Sequence, residues 1–233
     1  MKKITFFAVI SLAVVLFASC NKTIVNKEIY VDSYVHSIFD KNGVPVYNVS
    51  HTAYCFTKLA GVTVTGSSSS PIQLTDYSNG YSYYIPTDTL KYKTTPPAPE
   101  VFTYDVTYAN GDTARRTDAI IAKSLLPAQQ LTALKTATDI VLSWKPVANV
   151  EAYKIRIFSQ DPVTGSKLLI YESDFLAPKD PTVDLSVPYS LVSFSNYLST
   201  NLFFEVSAFI FEQGHDTYHA VSAATVVLPK AAS

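Results

Sequence analysis

The chain has 233 residues, a net charge of −1 from 18 basic and 19 acidic side chains, and only 16% charged residues. That balance excludes the basic footprint of a nucleic-acid binder, and two cysteines are too few for a disulfide-stapled scaffold. Aromatic residues make up 13% of the chain, glycines number only 7, and Val and Thr recur in alternating runs, a composition that favours strands.

At the N-terminus, Lys2 and Lys3 precede the apolar run ITFFAVISLAVVLF, then the small residues Ala18 and Ser19, then Cys20. Basic, apolar and small segments in that order are the layout of a secretory signal peptide. The run of about 14 residues reaches roughly 20 Å as a helix, short of the ~30 Å hydrocarbon core, so a spanning helix is not expected. The small pair before Cys20 resembles the lipobox of bacterial lipoproteins. Phe17 stands where the usual box has Leu, and boxes ending in Ser-Cys resemble those of Bacteroidetes. The resemblance implies that residues 1–19 are removed, that Cys20 carries acyl chains, and that residues 20–27 form a tether to a membrane. Two or more chains hold stably, at ~0.8 kcal/mol per buried methylene. The alternative is an ordinary signal peptide with an incidental Cys20. The residues that follow, NKTIVNKE, lack the acidic cluster that resembles a surface-export signal. The expected address is the outer membrane, facing the periplasm in preference to the surface.

Residues 28–126 read as a β-sandwich-like domain. Asn42-Gly43, Asn79-Gly80 and Asn110-Gly111 lie between apolar or aromatic runs, and Asn-Gly is the strongest short hairpin signal because both positions tolerate positive φ. Alternation puts Phe102, Tyr104, Val106 and Tyr108 on one face, with Thr103, Asp105 and Thr107 on the other. It places Tyr81, Tyr83 and Ile85 inward and Tyr84 outward. The Ser run at 67–70 and TTPPAPE at 94–100 read as loops. Cys55, inside the alternating TAYCFTK, reads as a small buried hydrophobe; a reactive thiol is the rarer alternative, with no neighbouring base in sequence to lower its pKa. This block looks like the first domain of some Bacteroidetes lipoproteins, through DKNGVPVYNV and VTVTG.

A boundary falls at LLPAQQ, and residues 127–233 form the second domain. Ile140, Leu142 and Trp144 share one strand face, as do Tyr153, Ile155 and Ile157 on the next. With TVDL at 182–185 and LSTNLFFEVSAFI at 198–210, the block resembles the fibronectin type III family. In that family a Trp and an aromatic on successive strands fill the core, matching Trp144 and Tyr153; its Leu-to-Tyr corner matches Leu198 and Phe204, with Phe in place of Tyr. The expected fold class is all-β, two antiparallel β-sandwich domains in tandem, the second immunoglobulin-like and fibronectin type III-like.

Three sets of residues are candidates for function. In EQGHDTYHA, a His pair four apart suits a metal on a helix face, but on a strand His215 and His219 lie roughly 13 Å apart. With Asp216 they read as a solvated turn, a partner contact or, in a curled loop, a metal site; no metal or other cofactor is expected. Phe203, Phe209 and Phe211 point outward from a strand whose inward residues are Phe204, Val206, Ala208 and Ile210, and Phe158 points outward from its neighbour. Such a patch marks an interface, and Phe209 and Phe211 belong near the first domain; further covering structure or an external partner are the competing readings. Tyr77, Tyr84 and Tyr92 offer rings and hydroxyls for a sugar, or simply cover a sheet.

No nucleophile elbow, zinc-peptidase motif, phosphate-binding Gly loop or paired-cysteine spacing is present. The expected function is therefore that of a membrane-anchored lipoprotein acting as a non-catalytic binding or adhesion module for a protein or glycan. An enzyme with a site at the domain junction and a purely structural spacer are the alternatives.

Overall fold

The computed structural model describes residues 28–67, 70–85, 91–161, 163–178, 183–190, 200–212 and 217–229, the side chains of residues 183 and 184 excepted. The readings on Cys20, Leu198, His215 and Asp216 lie outside the described residues. Strands come in the order β1 (Ile29–Phe39), β2 (Pro45–Cys55), β3 (Leu59–Gly66), β4 (Ile72–Gln73), β5 (Thr75–Asp76), β6 (Ser82–Tyr84), β7 (Glu100–Tyr108) and β8 (Thr113–Ile120). The second half holds β9 (Gln129–Lys135), β10 (Asp139–Lys145), β11 (Ala152–Gln160), β12 (Lys167–Glu172), β13 (Val183–Pro188), β14 (Leu202–Phe211) and β15 (Tyr218–Leu228). The fold is all-β, and among the described residues no helix is long and apolar enough to cross a membrane.

The Asn-Gly turns do what their chemistry allows. Gly43, Gly80 and Gly111 have φ of 76°, 92° and 87°, and they sit between β1 and β2, β5 and β6, and β7 and β8. Gly80 is the most demanding: a Cβ there would lie 2.7 Å from the Leu59 carbonyl oxygen, so only glycine fits. Alternation then sets the cores. Phe102, Tyr104, Val106 and Tyr108 are buried on β7, as are Ile140, Leu142 and Trp144 on β10 and Tyr153, Ile155 and Ile157 on β11. Trp144 and Tyr153 meet edge to face at 5.3 Å, and the Tyr153 hydroxyl accepts the Val147 N–H at 2.8 Å, satisfying its polar end inside the core. Tyr81 departs from the inward expectation and is exposed, because it precedes β6 and belongs to the turn.

In the second half a sheet ordered β13-β10-β9 packs on one whose strands run β12-β11-β14-β15, a fibronectin type III-like sandwich. In the first half a sheet ordered β4-β3-β7-β8 packs on β1, β2, β6 and β5. The halves are joined by main-chain pairing. β1 runs parallel to β15, with Val35 opposite Ala220, His36 opposite Val221 and Ser37 opposite Ser222. The result is one eight-stranded sheet in the order β12-β11-β14-β15-β1-β2-β6-β5. Its inner face contributes to a hydrophobic core that is continuous from Ile29 to Ala224. Leu125 and Ala128 of the connection are buried in that core, and the buried Ser37 hydroxyl donates to the Leu125 carbonyl at 2.6 Å.

Candidate functional site

The joined sheet leaves one broad face outside the two sandwiches. Residues directly opposite in a ladder share a face, so rows of side chains can be followed across it. One row runs Asn48, His36, Val221, Phe209, Ala152 over β2, β1, β15, β14 and β11. Another runs Tyr84, Thr52, Asp32, and a third Ser82, Tyr54, Tyr30. The face therefore mixes rings, hydroxyls and charges, where a core face would be aliphatic.

Where the halves meet, Phe209 and Phe211 stack at 6.0 Å, Phe175 stands edge-on to both at 5.1 Å, and Tyr218 touches each. Tyr218 also meets Tyr34 of β1 edge to face at 5.6 Å, so the cluster bridges strands from both chain halves. Beside it runs a groove of about 590 Å³ whose lining includes Tyr34, His36, Ser50, Arg156, Glu205 and Ser207. Arg156 is held by Glu172 at 2.6 Å and Glu205 at 3.3 Å. Burial lowers the His36 imidazole to about 4, so it is neutral at physiological pH, and its Nδ1 lies 2.7 Å from the Tyr92 hydroxyl.

Tyr218 is also a wall of a neighbouring cleft of about 380 Å³, lined by Tyr30, Val31, Asp32, Thr52, Tyr54, Phe56 and Thr217. Beneath it sits a buried polar network. The Ser33 hydroxyl lies 2.6 Å from the Tyr104 hydroxyl and 3.1 Å from His51 Nδ1, and Tyr104 donates to the Asp32 carbonyl at 2.7 Å. The Ser33 N–H donates to Asp118 Oδ2, and the Tyr218 N–H donates to Asp32 Oδ2 at 3.2 Å. Asp32 Oδ1 is buried without a hydrogen-bond partner. Burial first, then the Asp118 and Glu212 carboxylates, push the Asp32 carboxyl up to about 8 against the opposing Tyr218 N–H. It is mostly protonated at neutral pH. Asp118 is raised by burial as well.

The structure separates the sequence-predicted residues. Tyr77 is 76% exposed and meets the half-buried Tyr84 edge to face at 5.3 Å, at the β5–β6 edge of the sheet. Tyr92 meets His36 of β1, its hydroxyl 2.7 Å from His36 Nδ1. Phe209 and Phe211 are buried at the meeting of the halves, while Phe158 and Phe203 are half-buried and opposite one another on β11 and β14, with the Lys167 ammonium 4.4 Å from the Phe203 ring centre. His219 Nδ1 lies 3.2 Å from Glu212 Oε1. Among the described residues no group of three or more His, Cys, Asp or Glu is placed to hold a metal ion. Cys55 is buried, with its thiol 3.2 Å from the Glu28 carbonyl. Tyr30, Asp32, Tyr34, His36, Tyr54, Phe56 and Tyr218 were not singled out from the sequence; for the first four, polar and aromatic residues at every second position of β1 are the signal that marks them.

A larger cleft of about 880 Å³ opens between the two sheets of the first half, under the Pro96-Pro97 loop. Its rings, Tyr47 and Phe102, are core residues, and the rest of its lining is aliphatic or polar, including Lys91, Lys93, Gln73 and Glu100. Tyr47, Phe102 and the His51 imidazole line it from buried core positions, so the open sheet face, with its exposed rings, is the better-equipped surface for recognition.

No known protein family and no curated protein matches this chain. Among solved structures it is similar to a candidate carbohydrate binding protein from Bacteroides uniformis, with 14% identity over 84% of this chain and 98% of that one and a TM-score of 0.35. It is also similar to a segment of two fibronectin type III domains from chicken tenascin, at 11% identity over 87% and 98% of the two chains and a TM-score of 0.28. A bacterial ice-binding adhesin gives 10% identity over 88% of this chain and 65% of that one, with a TM-score of 0.25. Likeness at this level assigns no function.

Proposed function

We propose that this chain is a non-catalytic binding module, held at the outer membrane through an acylated Cys20 and facing the periplasm, whose open sheet face takes a glycan. Residues 1–19 are the signal peptide, 20–27 the tether, and the sandwiches of 28–126 and 127–233 carry the face between them. One observation carries the reading: aromatic rings, hydroxyls and a paired guanidinium line one groove across the β1–β15 seam, outside both hydrophobic cores. Ligand sites combine apolar surface with a few convergent polar groups in this way. The buried carboxyl of Asp32 and the half-buried one of Asp118 accept backbone N–H groups, which fits a supporting role better than acid–base catalysis.

A glycan array probed with the full chain, together with a cross-linking pull-down from cells, tests the reading. Glycan signals that disappear on Tyr34→Ala with the fold intact support it. Capture of a protein with silence on the array would replace glycan by protein, and silence in both would favour a structural spacer. Protease shaving of intact cells should leave the protein whole, and its early loss would overturn the periplasmic address.

A further inference from the structure

The cleft beside the seam is more specialised than the face around it. Tyr30 and Tyr54 stand directly opposite on β1 and β2, their rings 6.0 Å apart and 29° from parallel, exposed by 41% and 42%. Phe56 is 69% exposed and meets Tyr54 edge-on at 5.0 Å, so the three rings form a platform with a raised side. Asp32 lines the same cleft, with one carboxyl oxygen buried and lacking a partner and the other accepting the Tyr218 N–H. Thr52 adds a hydroxyl.

We propose that this cleft is a subsite for one uncharged sugar ring, which lays its C–H face on Tyr30 and Tyr54 against Phe56 and gives a hydroxyl to Asp32. Each part of the lining narrows the class of ligand. The faces of aromatic rings carry negative charge density and attract the polarised C–H groups of a pyranose. An acyl chain or an aliphatic side chain would cover the rings equally well but would leave the buried Asp32 Oδ1 still without a partner, and an unmade hydrogen bond at a buried polar group is unfavourable. A hydroxyl-bearing ring meets both demands. Among the described residues the lining contains no Lys or Arg, and Asp118 and Glu212 bear on Asp32 from β8 and from the residue after β14, so a uronate or phosphate is repelled. The carboxyl of Asp32, largely protonated at neutral pH, offers a donor to a neutral hydroxyl and no counter-charge to an amine. Tyr218 is shared with the longer groove, so an oligosaccharide seated here continues across the seam towards Tyr34.

This subsite rests on the glycan reading, and the test separates the two. The full chain is titrated with neutral hexasaccharides of glucose, mannose, galactose and xylose, and with oligogalacturonate, by saturation-transfer NMR and calorimetry. At least one neutral probe should bind, and Tyr54→Ala and Phe56→Ala should each weaken it about tenfold. Phe56 is too exposed for its loss to unfold the protein, which keeps that variant informative if others melt. Asp32→Ala should also weaken binding, and Asp32→Asn, which keeps a hydrogen-bonding group in place, should restore most of it. Neutral-sugar binding untouched by Tyr54→Ala and Phe56→Ala but lost on Tyr34→Ala would overturn the subsite and leave the glycan reading standing. Binding of oligogalacturonate alone would overturn the uncharged ring, and binding of none of the probes would overturn both.

Discussion

Replacing Asp32 with Asn should flatten the dependence of stability on pH. The Asp32 carboxyl moves from 3.8 to about 8 on folding because burial and two neighbouring carboxylates disfavour its charge. A raised value means that the folded protein holds a proton that the unfolded chain has already released. Its contribution to stability is complete below about pH 4 and is lost as pH rises through about 8. At about 1.4 kcal/mol per pH unit, the full effect has a ceiling on the order of 5 kcal/mol. His36 and His51, both lowered by burial from 6.5 to about 4, act in the opposite direction, adding stability as pH rises between those values. The clean window is therefore between about pH 6.5 and 8, where the wild type should lose stability at up to about 1.4 kcal/mol per pH unit from Asp32 alone. Asn keeps an acceptor for the Tyr218 N–H and places an amide where the proton sat, so the variant should fold and lose that slope. Urea unfolding across the window measures it. Equal slopes in the two proteins would refute the assignment of the buried proton to Asp32.

Phe209→Ala should cost about 3–5 kcal/mol, as expected for a large ring removed from a buried cluster, and should lower one cooperative melting transition. Two separate transitions in calorimetry would show that the halves are energetically independent. Tyr104→Phe removes the hydroxyl shared by Ser33 and the Asp32 carbonyl and should cost about 1–3 kcal/mol in urea unfolding, with the ring packing unchanged. Phe56→Ala should change stability by no more than about 0.5 kcal/mol, since its ring is mostly in solvent. Cys20→Ala should move the protein from the membrane to the soluble fraction of fractionated cells, whereas retention at the membrane would refute the lipid anchor.

Much of the fold was legible because alternation reports on burial strand by strand. The β7 face of Phe102, Tyr104, Val106 and Tyr108 and the Trp144 and Tyr153 pair could be read directly, as could hairpins whose Asn-Gly turns need positive φ. The joined sheet could not. Pairing of β1 with β15 depends on which exposed edges meet in space, and periodicity within a strand says nothing about its distant neighbour. The open face was hidden for a related reason. On β1 the core-facing positions include Ser33 and Ser37, both buried and satisfied by His51, Tyr104 and the Leu125 carbonyl, so no apolar face stood out. With the inward side half polar, Tyr30, Asp32, Tyr34 and His36 did not read as a surface. Phe209 and Phe211 point out of their own sandwich, and it takes the neighbouring Tyr34, Phe175 and Tyr218 to show what covers them.

The most direct measurement of the central claim is a backbone NMR titration of the full chain with the strongest-binding neutral hexasaccharide. Shifts concentrated at Tyr30, Asp32, Thr52, Tyr54 and Tyr218, extending to Tyr34 and His36, are the expected result. Shifts confined to the cleft under Pro96 and Pro97, or scattered with no preference for the open face, would contradict it.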